Sequence, residues 1–184
     1  TTGGANGPNV AVGKFALFAN TTGDNNTAIS ALGANTTGSN NTGVGAGALG
    51  SNTTVSGLTA VGYAALGANT TGTWNTAVGY NALDANSTGL ANSAFGYEAL
   101  SACTTGEKNC AFGSYALETV TTGEDNVAIG HDCQENNVTG SQNIALGTRT
   151  MHNNTSAERN DAVGHESLFT LYVNIDSFNV AVGY

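Results

Sequence analysis

The chain has 184 residues, a net charge of −9 and only 9% charged residues, against about 25% in typical globular proteins. Its four basic residues argue against a nucleic-acid partner, because phosphate binding needs Lys and Arg to replace the counterions. The acidic balance also argues against an anionic membrane surface. No run approaches the roughly 18 apolar residues of a membrane-spanning helix, so we predict no membrane insertion.

One unit of 17 residues repeats along the chain. The segment NTAVG at residues 75–79 returns as NSAFG at 92–96 and as NCAFG at 109–113. Counted from the first residue of this segment as position zero, eleven units begin at Asn9, Asn26, Asn41, Leu58, Asn75, Asn92, Asn109, Asn126, Asn143, Asn160 and Asn179. Residues 1–184 are therefore predicted to form a single repeat domain, and, since both ends fall inside repeat units, a piece of a longer fibre.

Taken in chain order, each unit predicts a short strand followed by turns. Position three is always apolar, as in Val12, Ile29, Val44, Val61, Val78, Phe95, Phe112, Ile129, Leu146, Val163 and Val182. Position two is small, position four is nearly always Gly, position eight is usually Leu, and positions eleven to fourteen read NTTG or a relative of it. Helices tolerate so many glycines poorly, whereas 17 residues can hold two short strands and two turns. The pattern predicts an all-β parallel solenoid of about eleven coils, stacked about 4.8 Å apart.

Three places depart from the template. The unit that begins at Asn26 has 15 residues and carries Ser30 in place of Gly, and Leu58 stands where other units carry Asn. We expect a local change of outline there. The last unit, within residues 165–184, is predicted to be enlarged and more apolar, because it contains the stretch LFTLYVNIDSF.

The columns leave open which face of the strand lines the interior. Val or Phe at position three with Leu at position eight could fill a narrow core, and Ala at position two with Gly at position four could then contact another chain. Asn at position zero is expected to form a ladder of side-chain amide hydrogen bonds along the stack. A thin, weakly charged solenoid needs partners to cover apolar area, so a homotrimer is predicted.

The segments NTAVGYNAL (75–83), NSAFGYEAL (92–100) and NVAIGHDC (126–133) resemble the SxAxGxxA coils in the heads of trimeric autotransporter adhesins. A closer similarity is to NTAVGYxALxxNTTG arrays of phage tail fibres and of the mosaic adhesive trimers of predatory bacteria, which often precede a C-terminal self-cleaving intramolecular chaperone. No part of that chaperone is present in this sequence. The resemblance covers essentially all eleven units and implies a left-handed β-roll or β-helix in each chain, three of which associate.

Few residues suggest chemistry. His131 and His165 occupy position five, where other units carry Tyr63, Tyr80 and Tyr97, and are interpreted as members of a polar aromatic stripe. With Trp74, these form the candidate ligand-binding set, because an exposed aromatic ring can stack on the apolar face of a sugar.

No catalytic residue, metal site or cofactor is predicted, and the chain is not expected to be an enzyme. The carboxylates Asp84, Glu98 and Glu118 are interpreted as scattered solubilising charges. The odd number of cysteines (Cys103, Cys110 and Cys133) matches no metal spacing. We interpret them as packed or free thiols, with a disulfide between neighbouring coils as the alternative.

The predicted function is a structural shaft or head segment of a trimeric surface adhesin or tail fibre. It is expected to project a receptor-binding surface or to contribute to one, with a glycan as the expected ligand. The expected location is outside the cell or on a virion. The alternatives are an ice-binding solenoid and a carbohydrate-active β-helix enzyme. Adjacent Thr side chains in the NTTG segment point apart, which disfavours a flat ice-binding face.

Overall fold

A computed structural model describes residues 7–170 and 178–184. It contains eleven strands of three residues each: β1 (Val10–Val12), β2 (Thr27–Ile29), β3 (Thr42–Val44), β4 (Thr59–Val61), β5 (Thr76–Val78), β6 (Ser93–Phe95), β7 (Cys110–Phe112), β8 (Val127–Ile129), β9 (Ile144–Leu146), β10 (Asp161–Val163) and β11 (Val180–Val182). Within these described residues the regular structure is β only, as predicted. Each coil has one strand rather than the predicted two, because the segment around position eight is built from turns.

The strands form one parallel sheet in chain order, β1 to β11. Its register places Ala77 beside Ala94, and Val78 beside Phe95. The next pair of strands keeps the same alignment, with Phe95 beside Phe112. The chain is therefore a parallel β-solenoid of about ten turns, and the predicted vertical columns are confirmed.

The interior is filled from positions two, seven and eight of each unit. Ala77, Ala82 and Leu83 are fully buried, and the equivalent residues of the neighbouring coils are buried as well. Burying one Leu side chain contributes about 1.5–3 kcal/mol, so the central Leu column is a large part of the core. This settles the open question of the faces: the Ala side of the strand looks inward, and the position-three side chains look outward.

The turns depend on non-glycine residues in the left-handed region of backbone space. Leu83 has a φ of 52° and Asn81 a φ of 51°, and Trp74, just before β5, has a φ of 59°. Such conformations are uncommon for non-glycine residues, and here contacts between coils support them. The Leu83 N–H, for example, donates to the carbonyl of Ala99 at 3.1 Å.

Glycine at position four follows from the approach of successive coils. Gly79 has a φ of 147°, and a Cβ added to it would collide with the carbonyl group of Gly96. Ser30, in the short coil, is the exception in this glycine column and has a φ of 55°.

The predicted Asn ladder is confirmed at position zero. The Asn92 N–H donates to Asn75 Oδ1 at 2.9 Å, and Asn92 Nδ2 donates to the carbonyl of Gly106 at 2.8 Å. These side chains are fully buried, so the ladder satisfies polar groups that would otherwise be costly to bury. At Leu58 the ladder loses a side chain, but the Leu58 N–H still donates to Asn41 Oδ1 at 2.9 Å.

A second amide ladder runs along position eleven. Asn86 Nδ2 donates to Asn69 Oδ1 at 2.9 Å and to the carbonyl of Gly89 at 3.1 Å. The next rung is Cys103, whose thiol contacts the carbonyl of Gly106. Asn86 Oδ1 is buried without a hydrogen-bond partner, as is Asn52 Oδ1 in an earlier rung.

The 15-residue coil changes the outline of the rod, as expected. A recess of about 420 Å³ opens beside it, and its lining includes Phe15, Ser30, Leu32 and Gly47. The enlargement predicted for residues 165–184 lies partly outside the described residues. The described part keeps the stack regular, since Asp161 aligns with Val180 across the longer step.

Candidate functional site

The outward face of the sheet carries a continuous column of apolar side chains, called here the apolar stripe. It consists of the eleven position-three residues, Val12, Ile29, Val44, Val61, Val78, Phe95, Phe112, Ile129, Leu146, Val163 and Val182. Exposure is substantial along it, with Phe112 55% and Ile129 44% accessible. Phe95 and Phe112 stack with ring centroids 5.2 Å apart. Extended apolar surface of this kind is unusual on a monomeric protein.

Next to the apolar stripe, three predicted site residues form a regular stack. The ring centroids of Tyr63 and Tyr80 lie 5.2 Å apart, as do those of Tyr80 and Tyr97, with interplanar angles of 14° and 7°. All three side chains are exposed. A hydrogen bond with Glu98 raises the pKa of the Tyr97 hydroxyl above its ordinary value. In this tyrosine stack the edges of the rings and their hydroxyl groups face solvent.

The two histidines join the aromatic stripe in different ways. His131 meets the tyrosine stack only through Tyr115, which packs edge-on against Tyr97 at 5.3 Å and against His131 at 6.1 Å. His165 stacks on Tyr184 at 5.2 Å. Sequence reasoning did not include Tyr115, because it stands at position six. Position six directly follows position five in the same turn, and this neighbourhood was the signal that could have found Tyr115.

Trp74 stands apart from the tyrosine stack. Its side chain is 72% exposed, as expected, but it lies at position sixteen, on the other side of the strand from position five. The aromatic contacts that join Tyr63, Tyr80 and Tyr97 do not extend to it. The predicted ligand-binding set therefore divides into the tyrosine stack with His131 near its end, the pair of His165 and Tyr184, and a separate exposed indole.

The interpretation of the carboxylates as scattered charges is wrong. Coil stacking places Glu118 near Glu135, Glu98 and Asp132. Partial burial, and then the negative charges of these three neighbours, raise the pKa of the Glu118 carboxyl. The carboxylate cluster of Glu98, Glu118, Asp132 and Glu135 was missed because its members come from positions six and nine of successive units.

The three cysteines are free thiols, so the disulfide alternative is not what the structure shows. Cys103 and Cys133 are buried, whereas Cys110 is half-buried on the outward face of β7. Burial raises the pKa of the Cys103 thiol to about 11 and that of Cys133 to about 12. Neither buried thiol has the lowered pKa of a reactive cysteine.

The fold and this surface define the chain as a parallel β-solenoid with one apolar outer face. Comparisons with family models, with curated proteins and with solved structures find no match to it. Among the described residues, no helix has the length and apolar character needed to cross a membrane.

Proposed function

We propose that the chain is a structural segment of a homotrimeric surface adhesin or tail fibre, and that it projects or contributes to a receptor-binding surface. The observation that carries this proposal is the apolar stripe. Eleven rungs at a strand spacing of about 4.8 Å extend it for roughly 48 Å along the rod. An exposed apolar surface of that length favours association with another protein surface.

A second and third copy of the same chain fit this surface well in chemical terms. The stripe has the periodicity of the coil, so parallel copies can align side chains of similar size along the whole rod. A closed ring of three copies hides the stripe of each chain and leaves none to recruit further molecules. The trimeric state and the left-handed winding within each chain follow the resemblance to the heads of trimeric autotransporter adhesins.

The test is the mass of the protein in solution, measured by light scattering after size-exclusion chromatography. We expect three times the chain mass of 18.3 kDa, and we expect Phe112→Asp to produce monomers because it places a charge in the middle of the stripe. Thr88→Asp is the matched control, since Thr88 is exposed outside the sheet. A monomeric native protein, or a Phe112→Asp variant with the native mass, would contradict the trimer.

Contact with a glycan is the binding activity that the exposed rings favour. Tyr63, Tyr80 and Tyr97 lie in line at 5.2 Å intervals, so their ring edges and hydroxyl groups could contact successive sugars of one extended chain. Trp74 instead offers a single isolated ring face. A glycan array of the native protein, followed by Tyr80→Ala and Trp74→Ala, separates the two locations. We expect Tyr80→Ala to weaken binding about two- to tenfold, on the order of the 0.5–1.5 kcal/mol of an aromatic contact. Binding that neither variant changes would overturn this assignment.

Ice binding is less well supported than a fibre role. In the NTTG segments the first Thr hydroxyl is used between coils, as where Thr70 Oγ1 donates to the carbonyl of Ser87 at 3.0 Å and Thr104 Oγ1 donates to that of Thr121 at 3.2 Å. Fewer of these Thr hydroxyls therefore remain for contact with an ice lattice. A thermal hysteresis assay tests this alternative directly.

A further inference from the structure

We propose that Asp132, Glu135 and His152 form a binding site for a divalent transition-metal ion of the Zn²⁺ type. One ligand atom from each side chain lies within 4.8 Å of the others. Imidazole nitrogen and carboxylate oxygen are ligands that Zn²⁺ accepts. None of these three residues belongs to the apolar stripe or to the tyrosine stack, so the proposal does not depend on the proposed fibre function.

The winding of the chain builds this site from two coils. Asp132 and Glu135 lie in one turn, and His152 lies one coil further, since 152 − 135 = 17. His152 Nε2 is 3.5 Å from Glu135 Oε2. Two ligands bound to Zn²⁺ at about 2.1 Å in tetrahedral geometry are about 3.4 Å apart. This nitrogen and oxygen therefore already have the separation that one metal ion requires, and a ligand atom of Asp132 lies within 4.8 Å of both.

The imidazole ring is held in place from its other side. Asn136 Nδ2 lies 3.0 Å from His152 Nδ1 and 3.2 Å from Asn153 Oδ1. When a metal takes the lone pair of Nε2, the proton of the neutral imidazole moves to Nδ1. The Asn136 amide then turns so that its Oδ1 accepts that proton in a hydrogen bond, which is the usual support for a metal-bound His.

The local charge favours a cation. Glu118 lies one coil before Glu135 in the same column, since 135 − 118 = 17, and brings a third carboxylate to the region. Arg149, on a neighbouring turn, is engaged by Glu166, with Arg149 Nη1 2.6 Å from Glu166 Oε1. The side chains of His152 and Glu135 are only 15% and 26% exposed. A bound cation would offset repulsion that solvent screens incompletely.

The sequence did not predict this set because no short spacing contains it. His152 reaches Glu135 only through the stacking of coils, and Asp132 comes from a different column. His131 also adjoins the set, with Nδ1 3.0 Å from Asp132 Oδ2, and provides a second imidazole at its edge.

The experiment uses the native protein, freed of any affinity tag and stripped with EDTA, and titrates it with Zn²⁺ by calorimetry. We expect one Zn²⁺ per chain and a higher melting temperature with Zn²⁺. Co²⁺ is expected to give the visible absorption of a low-coordinate site. His152→Asn and Glu135→Gln should each lower the affinity at least tenfold, whereas His165→Asn, the matched control with its ring on Tyr184, should not change it. Circular dichroism and the melting temperature without metal establish that each variant is folded.

Three results would overturn the proposal. The first is the absence of stoichiometric Zn²⁺ binding, and the second is Zn²⁺ binding that the His152→Asn variant retains in full. The third is Ca²⁺ binding that matches Zn²⁺ in affinity and is unchanged in His152→Asn, because this would show an acidic cluster that collects hard cations without the imidazole.

Discussion

The rings of Tyr80 and Tyr97 lie parallel within 7° and 5.2 Å apart, although the two residues are separated by 17 positions in the sequence. Their backbones belong to successive coils, and the ring separation is close to the spacing of adjacent strands, about 4.8 Å. A side chain in this protein therefore meets its counterpart in the next coil before it meets its neighbours in sequence.

Cys103→Asn should stabilise the protein. The new amide can donate to Asn86 Oδ1, which is buried without a partner, and to the carbonyl of Gly106, as Asn does in the preceding rung. A satisfied buried hydrogen bond contributes about 1 kcal/mol, or a rise of about 2–4 °C in melting temperature for a chain of this size. Thermal unfolding followed by circular dichroism measures it.

Cys103→Ser is the control for this change, because its shorter side chain cannot span to Asn86. An Asn variant that is no more stable than the native protein would show that the amide column is not continuous at this rung.

Gly96→Ala should destabilise the protein strongly. Gly96 has a φ of 143°, and a Cβ there would collide with the carbonyl group of Gly113. We expect a loss of about 3 kcal/mol or more, since the backbone is strained and two coils must separate. Urea denaturation gives the change in the free energy of unfolding.

Gly57→Ala provides the comparison. Gly57 also has a positive φ, 76°, but an added Cβ would meet nothing within 4 Å. Its cost should be about 1 kcal/mol, that of a non-glycine residue in the left-handed region. Equal losses at the two sites would contradict a steric role for the position-four glycine.

Glu118→Gln should stabilise the protein at neutral pH. The pKa of the Glu118 carboxyl is raised above its ordinary value, chiefly by burial and then by Glu135, Glu98 and Asp132. The native state therefore binds this proton more tightly than the unfolded state, and native stability falls as the pH rises through the window above 4.5. The variant escapes this loss, so the two proteins should differ by about 0.5 kcal/mol at pH 7.5, because solvent screens the repulsion.

The difference should vanish below about pH 4, where the unfolded carboxyl is also protonated. Urea unfolding in EDTA at several pH values measures it, and Glu158→Gln, in a different column, controls for the general loss of one negative charge. A difference that does not depend on pH would argue against Glu118 as its source.

Thiol labelling should distinguish the cysteines. Cys110 is half-buried on the outward face of β7, whereas burial raises the pKa of Cys103 to about 11 and that of Cys133 to about 12. At pH 8 the two buried thiols remain protonated and enclosed, and the thiolate is the form that reacts. We expect no more than one fast equivalent of an aromatic disulfide reagent in the native protein and three in denaturant. Three fast equivalents without denaturant would mean that the coils around Cys103 and Cys133 open readily.

The sequence predicted the stacking of coils because a strict repeat requires equivalent side chains to occupy equivalent environments. It did not predict which side of the strand is buried, since Ala77 and Val78 are both compatible with a narrow interior. The turn geometry at Leu83, with its positive φ, decides this by aiming the large side chain inward, where it leaves room only for Ala. The same turn geometry explains why a second strand does not form in the described coils.

The sequence predicted one part of the candidate site and missed another. Tyr63, Tyr80 and Tyr97 share one position, so their stacking followed from the repeat. Tyr115 and the set around His152 combine different positions, and only the shape of the turn brings them together. Residues that a repeat aligns can be read from its period, whereas residues that meet across columns require the geometry of the coil.

The position-zero ladder gives every regular coil the same hydrogen-bonding partners above and below. Removing one whole unit, such as residues 75–91, would place Asn92 in the rung that Asn75 had occupied and recreate the same kinds of contact. Gene recombination within such an array can therefore lengthen or shorten the rod in increments of about 4.8 Å. The length of the rod is thus set genetically by the number of units, independently of the side chains exposed on its surface.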